Sequence, residues 1–248
     1  MHARPILQSL ESTRVEREQL LARIHRAGYR TLVDHVTVGP LKLSFTRIED
    51  PNRVLDEVAA REDLRERLAE KRTPGDALGL PYWAELWDSS QGVGQYLTQV
   101  LNGGRAARVM DLGCGMGFTG MVSAALGAEV LMVDLERPAL LFARLNGLQY
   151  SKSVRARQMN WRVDRLEEKF DLIIGADILY EKTQWVYQEP FWRHHLTREG
   201  TVLLAEPGRQ TGDLFLNWIK GKGWELERFA EIVPTRAQPI RLMRLRMV

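Results

Sequence analysis

The segment Val109 to Gly117 reads VMDLGCGMG and limits the fold more than any other stretch of the chain. Val109, Met110 and Leu112 favour a strand, after which Gly113, Gly115 and Gly117 let the backbone turn tightly and approach a ligand with no Cβ in the way. A strand that ends in such a turn and then opens a helix is a nucleotide-binding element of an α/β fold. The dinucleotide fingerprint G-x-G-x-x-G requires glycine at position 118, where this chain carries Phe118; its own pattern is G-x-G-x-G preceded by Asp111. A pyrophosphate fits such a turn poorly. Taken alone, the glycines leave a tight connection with no ligand as the lesser alternative.

A second apolar strand, Ala128 to Val133, runs into Asp134 roughly 20 residues beyond the first glycine, where a carboxylate suits a ribose diol and disfavours a phosphorylated ribose. Asp134 by itself is as readily a strand-closing residue, or a cap for the helix expected from Pro138 to Gly147. The glycine turn and the carboxylate together point to an unphosphorylated nucleoside derivative.

Composition sets the outer bounds. A chain of 248 residues, 44% hydrophobic, can bury one substantial core with an appendage, and it contains no repeat or low-complexity stretch. No apolar run approaches the roughly 20 residues that span a bilayer, and Arg4, Glu11, Arg14 and Glu16 stand where a signal peptide has its apolar centre. A soluble, cytoplasmic protein is expected. The single cysteine, Cys114, rules out an intramolecular disulfide or a cysteine cluster and reads as a small filler of the loop, with no adjacent base to ionise it. The net charge of +3 is spread among acids. Arg241, Arg244 and Arg246 alternate with apolar residues as on the solvated side of a strand, a better account than an RNA groove. His194 and His195 lack partners at ligand spacing and read as surface helix residues; no metal is expected.

The first 75 residues differ in character. Ile6, Leu7, Leu10, Leu20, Leu21 and Ile24 among many charges predict one or two amphipathic helical turns docked on something else, and Thr31 to Thr46 alternates as a hairpin around Gly39 and Pro40. A charged helix from about Asn52 to Lys71 ends before Thr73, Pro74 and Gly75. That triplet divides an N-terminal helical and hairpin extension, 1–75, from a core domain, 76–248.

Three later segments carry further chemistry. Leu80 to Ser90, LPYWAELWDSS, concentrates Tyr82, Trp83, Trp87 and Glu85 just before a helix from Gln91 to Leu101, a density that suits the lip of a site; Tyr82 and Trp83 equally suit a plug between extension and core. Asn160 and Trp161 follow a short basic strand, Val154 to Arg157. Phe170 to Tyr180, FDLIIGADILY, is a strand buried on both faces with Asp177 just past its end, where open α/β sheets place their ligands. A further buried strand, Gly200 to Ala205, leads into Glu206-Pro207-Gly208-Arg209, a helix from Asp213 to Lys220, and terminal strands Glu225 to Val233 and Ile240 to Arg246.

In this order the motifs resemble the class I S-adenosylmethionine-dependent methyltransferases over roughly Leu80 to Val248, and the tryptophan segment, D-x-x-Y at Asp177 and Tyr180, and E-P-G-R resemble family 16 protein lysine methyltransferases. The resemblance implies a Rossmann-like, mostly parallel seven-stranded α/β sheet ending in an antiparallel hairpin. It implies S-adenosyl-L-methionine as cofactor. Asp111, Gly113, Cys114, Gly115 and Gly117 would face its methionine part, Asp134 with Leu135 its ribose, Asn160 and Trp161 its adenine, and Trp87 would lie against it. Asp177 and Tyr180 would be catalytic, with Glu85 and Arg209 toward the substrate; Arg209 otherwise caps its turn. The acceptor is then a lysine of a protein substrate, with a small molecule or RNA as the second reading and a cofactor-binding interaction module as the third. Acceptor identity, the number of methyl groups and the oligomeric state are left open.

Overall fold

A computed structural model of the chain describes residues 3–67, 81–101 and 107–248. The boundary triplet Thr73, Pro74 and Gly75, along with Leu80, lies outside the described residues.

The core sheet has its seven strands in the order β5 (Val154–Gln158), β4 (Glu129–Asp134), β3 (Arg108–Leu112), β6 (Phe170–Ala176), β7 (Leu196–Glu206), β9 (Ile240–Met247), β8 (Trp224–Glu231). The first five run parallel, and β9 inserts antiparallel between β7 and β8. This is the expected mostly parallel sheet closed by an antiparallel hairpin. From β3 the chain winds outward to β4 and β5, then returns to place β6 on the other side of β3. The C-terminal ends of β3 and β6 therefore flank the point where the winding reverses, and an open α/β sheet has its crevice there.

Helices cover both faces. On one, α3 (Asp88–Val100), α4 (Phe118–Ala125) and α5 (Arg137–Gly147) bury Leu97, Val122 and Phe142; on the other, α6 (Trp185–His195) and α7 (Gln210–Ile219) bury Trp192 and Phe215. Strand residues such as Val109 and Met110 alternate between these two cores, which is why β3 reads as a continuous apolar run.

The extension begins with α1 (Ala3–Arg26), one continuous helix rather than one or two turns. It buries Leu20 and Ile24 in the core that also contains Phe142, and it packs on α5. The side chains of Ile6, Leu7 and Leu10 lie outside the described residues. The hairpin β1 (Thr31–Val38) and β2 (Leu41–Ile48) pairs antiparallel through Val38 and Leu41, and α2 (Pro51–Arg67) follows it. Apolar residues at every second position of β2 turn Leu43 and Phe45 inward onto the core helices.

The two histidines correct a sequence expectation. His195 is wholly buried at the end of α6, not on its surface: Nδ1 faces Phe191 O at 2.8 Å and Nε2 accepts the Leu166 N–H at 2.9 Å. Those bonds require a neutral ring protonated on Nδ1, and burial holds its pKa at about 4. The partly buried His194 bonds Leu166 O. The pair fastens the loop before β6, a role invisible in the sequence because Leu166 lies 28 and 29 positions away. The terminal arginines do not share one solvated strand face: Arg241 pairs with Glu206 and Asp213 on the α7 side of β9, and Arg244 with Glu227 and Tyr96 on the α3 side.

Candidate active site

The crevice beyond β3 and β6 opens into a cavity of about 350 Å³. On its β3 side the glycine turn lies against β4, with Gly113 and Cys114 both donating backbone N–H groups to Val133 O. Gly113 has φ 68°, and a Cβ there would come within 2.9 Å of Ile178, so glycine is needed to let the D-x-x-Y segment close over the turn. Gly113, Cys114 and Gly115 all line the cavity.

Gly117 and Asp111 occupy a different position from the one expected. Gly117, φ 84°, brings the start of α4 so close to α5 that a Cβ would stand 2.8 Å from Ala143 Cα. Asp111 is 1% exposed beneath the turn, where it accepts the Thr119 hydroxyl at 2.7 Å and the Gly120 N–H at 2.8 Å. Both staple the loop to α4 and neither lines the cavity. Complete burial raises the Asp111 pKa to about 6 against these two stabilising donors.

Asp134, at the end of β4, does line the cavity. Its Oδ2 accepts the Gly115 N–H at 2.8 Å and its Oδ1 the Glu136 N–H at 2.9 Å, so the carboxylate is fixed in place and each oxygen keeps acceptor capacity for a ligand hydroxyl. Burial raises its pKa, and the backbone donors oppose that. Leu135, Met159, Asn160 and Trp161 continue the wall. Asn160 Oδ1 accepts the Arg162 N–H at 3.0 Å, closing its own turn. The Trp161 indole donates to Gln184 Oε1 at 3.0 Å; Arg162 donates to the same oxygen, and Gln184 Nε2 donates to Glu181. Cys114 is buried with its thiol pKa pushed well up by desolvation, consistent with a filler.

Asp177 lies on the β6 side, the one described non-glycine residue with positive φ, at 60°. A carboxylate side chain tolerates this left-handed conformation better than most, yet it remains a strained choice. The conformation turns the buried side chain back across the strand ends. There Ser89 donates to Oδ2 at 3.3 Å and Arg209 pairs with Oδ1, while the Asp177 N–H bonds Ala205 O at 2.8 Å. Burial raises the pKa of the carboxyl, and the Arg209 guanidinium pulls it back down. Tyr180, half exposed, meets Tyr82 edge-on at 5.4 Å, and Tyr82 meets Trp87 at 6.3 Å, so three aromatic rings form the lip above Asp177. The Trp87 indole donates to Tyr82 O at 2.9 Å. Trp83 instead turns inward against Tyr29 and Phe142, the plug between extension and core. Glu85 stands exposed at the cavity wall, its pKa raised mainly by partial burial.

Three contributors escape sequence reading. Phe45, from the extension, lines the cavity edge-on to Phe118 at 5.3 Å; Ser89 orients Asp177; Gln184 joins the Trp161 wall to the D-x-x-Y loop. Alternation on β2 marks Phe45 as inward-facing, and nothing local marks the other two.

Sheet order, glycine turn and strand-end carboxylate define a Rossmann-like α/β protein with its cavity at the point where the winding reverses. The lysine methyltransferase family matches residues 81–221, more than half of the chain, and the chain belongs to that family. It is 33% identical over 141 residues to the electron transfer flavoprotein beta subunit lysine methyltransferase of Mus musculus, covering 52% of this chain and 51% of that protein. It is 36% identical over 132 residues to protein N-lysine methyltransferase METTL21A of Danio rerio, covering 49% and 58%. The chain thus spans about half the length of the curated relatives it matches. The glycopeptide N-methyltransferase MtfA, solved with S-adenosyl-L-homocysteine, superposes with TM-score 0.56 at 13% identity, over 76% of this chain and 98% of that one, a likeness of fold.

Proposed function

We propose that this protein binds S-adenosyl-L-methionine and transfers its methyl group to a lysine side chain of a protein. The observation that carries the reading is one cavity reached by both the Asp134 carboxylate with its glycine turn and the Asp177–Tyr180 lip. A donor nucleoside and an acceptor amine held at those two ends would meet between them. The family and the named relatives support the lysine acceptor.

The residues fit the donor. Asp134 retains an acceptor site on each oxygen for the two ribose hydroxyls, Trp161 and Leu135 offer apolar surface to adenine, and the Gly113–Gly115 turn gives backbone access to the amino acid end. When bound, the sulfonium supplies an activated methyl group, so the protein has to align, enclose and desolvate rather than activate. Tyr82, Trp87 and Tyr180 exclude water at the acceptor side. A lysine has to arrive at the reaction as the free amine; from a reference pKa of about 10.4, deprotonation at pH 7 costs about 4.6 kcal/mol. Desolvation by the aromatic lip and the nearby positive sulfonium both lower that cost. A carboxylate at Asp177 favours the ammonium, so its role here is orientation.

In this reading residues 76–248 form the catalytic domain and 1–75 an extension that completes its cavity, and the protein acts in the cytoplasm on other proteins. Among the described residues no helix is long and apolar enough to cross a membrane. Incubation with radiolabelled S-adenosyl-L-methionine and a cell extract, with label resolved by size and nuclease sensitivity, tests the acceptor. Label in protein that survives nuclease and yields methyl-lysine on hydrolysis supports the proposal. Nuclease-sensitive or small-molecule label overturns the acceptor class, and binding with no transfer overturns the activity. Cell fractionation tests the location.

A further inference from the structure

The E-P-G-R turn is built to aim one guanidinium at Asp177. Glu206, 3% exposed at the end of β7, accepts the N–H groups of Gly208 and Arg209 on Oε2, both at 2.7 Å. A Cβ on Gly212 would come within 2.5 Å of that carboxyl, so α7 leaves room for it by carrying glycine there. Arg241 pairs with Glu206 and donates to Arg209 O at 2.9 Å. With both backbone polar groups of Arg209 fixed, its side chain crosses to Asp177 Oδ1 and lies 5.7 Å from the Trp87 ring.

A buried carboxylate beside an aromatic face is the chemistry that holds an ammonium. In this protein that place is already taken by a cation of the chain itself. Resting on the proposed lysine acceptor, we propose that Arg209 is a positioning residue that acts as a resident counter-cation on Asp177, excluding the charged form of the acceptor amine so that the amine enters as the free base. Unopposed, Asp177 would bind the protonated lysine and raise the cost of deprotonation. Neutralised by Arg209, it can orient the amine, with Ser89 on its second oxygen, without holding the proton on it. Among the described residues, the other charged or titratable groups acting on Asp177 are Glu206 from β7 and Tyr180 from its own loop; Glu206 is itself paired with Arg241.

The test uses the full chain with S-adenosyl-L-homocysteine bound and n-butylammonium chloride as probe, titrated by calorimetry at pH 7. The parent protein is expected to bind the probe weakly. Arg209→Gln is expected to bind it at least about tenfold more tightly, Arg209→Lys to restore the weak binding, and the double variant Arg209→Gln/Asp177→Asn to lose the gain. A merely structural arginine would give loss, not gain. Equal probe affinity in the parent and Arg209→Gln, with S-adenosyl-L-homocysteine affinity and thermal midpoint retained, overturns the proposal. Failure of the parent protein to bind S-adenosyl-L-homocysteine at all overturns the underlying donor-site reading instead.

Discussion

Asn146 clasps both backbone polar groups of Thr46, a residue 100 positions away: its Oδ1 accepts the Thr46 N–H at 2.7 Å and its Nδ2 donates to Thr46 O at 2.9 Å. The same amide nitrogen donates to Met116 O at 2.9 Å, in the glycine turn. One buried side chain at the end of α5 therefore joins the extension's β2 to the loop that would receive the cofactor. Asn146→Leu keeps the volume and removes every donor and acceptor, leaving buried backbone groups unsatisfied at about 1–3 kcal/mol each. The expected loss is on the order of 3 kcal/mol in urea unfolding, together with a weaker calorimetric Kd for S-adenosyl-L-homocysteine. Unchanged cofactor affinity in the folded variant would show that the clasp serves stability alone.

Asp177→Asn separates orientation from binding. Asparagine accepts the left-handed backbone at φ 60° and can still receive a hydrogen bond from Arg209 or Ser89, so the fold around it should persist. Asp134 and the glycine turn are untouched. Turnover is expected to fall by roughly 10²-fold or more, the scale of a misplaced reacting group. The dissociation constant for S-adenosyl-L-homocysteine should move less than about threefold. Equal losses in both would contradict the assignment of Asp177 to the acceptor side.

These residues differ in how far they were legible beforehand. The glycine turn, Asp134 and Asp177 could be read because each sits at the end of an apolar run, and strand ends in an α/β sheet lie at one edge. Asp111 ends the same kind of run yet does not line the cavity, because position 111 is still within β3 and its side chain meets Thr119 and Gly120 of α4. Arg209 and Asp177 are separated by 32 positions and Ser89 and Asp177 by 88, and only the winding of the sheet brings them together. The alternating pattern of Leu43 and Phe45 showed an inward face without showing what it faced.

Two buried titratable groups impose opposite pH dependences on stability. Asp111 has a folded pKa raised from 3.8 to about 6, so its native state holds the proton more tightly, and its burial penalty, about 3 kcal/mol, is full above pH 6 and gone below about 3.8. His195 has a folded pKa lowered from 6.5 to about 4; stability is full above pH 6.5 and about 3 kcal/mol is lost as pH falls toward 4. In the parent protein the two slopes oppose each other across pH 4–6. Urea unfolding of His195→Gln, whose amide oxygen can still accept the Leu166 N–H, should expose the Asp111 slope: stability relative to the parent improves as pH falls. Asp111→Asn should do the reverse. Difference curves that stay flat across this window would place the proton uptake elsewhere.

Phe45 gives the extension a direct stake in the site. It is fully buried, lines the cavity, and packs edge-on against Phe118 at the start of α4, next to the glycine turn. Phe45→Ala should cost about 3–5 kcal/mol by core truncation and weaken S-adenosyl-L-homocysteine binding, because the vacated volume opens beside the loop. Removing all residues before Thr73 should be harsher: it strips Leu20, Ile24 and Phe45 from the core and leaves Asn146 without Thr46. That truncated protein is expected to lose cofactor binding together with transfer, read by calorimetry and by near-ultraviolet circular dichroism. Retained binding with transfer alone lost would make the extension an acceptor-docking element and leave the core domain competent to fold and hold the donor without it.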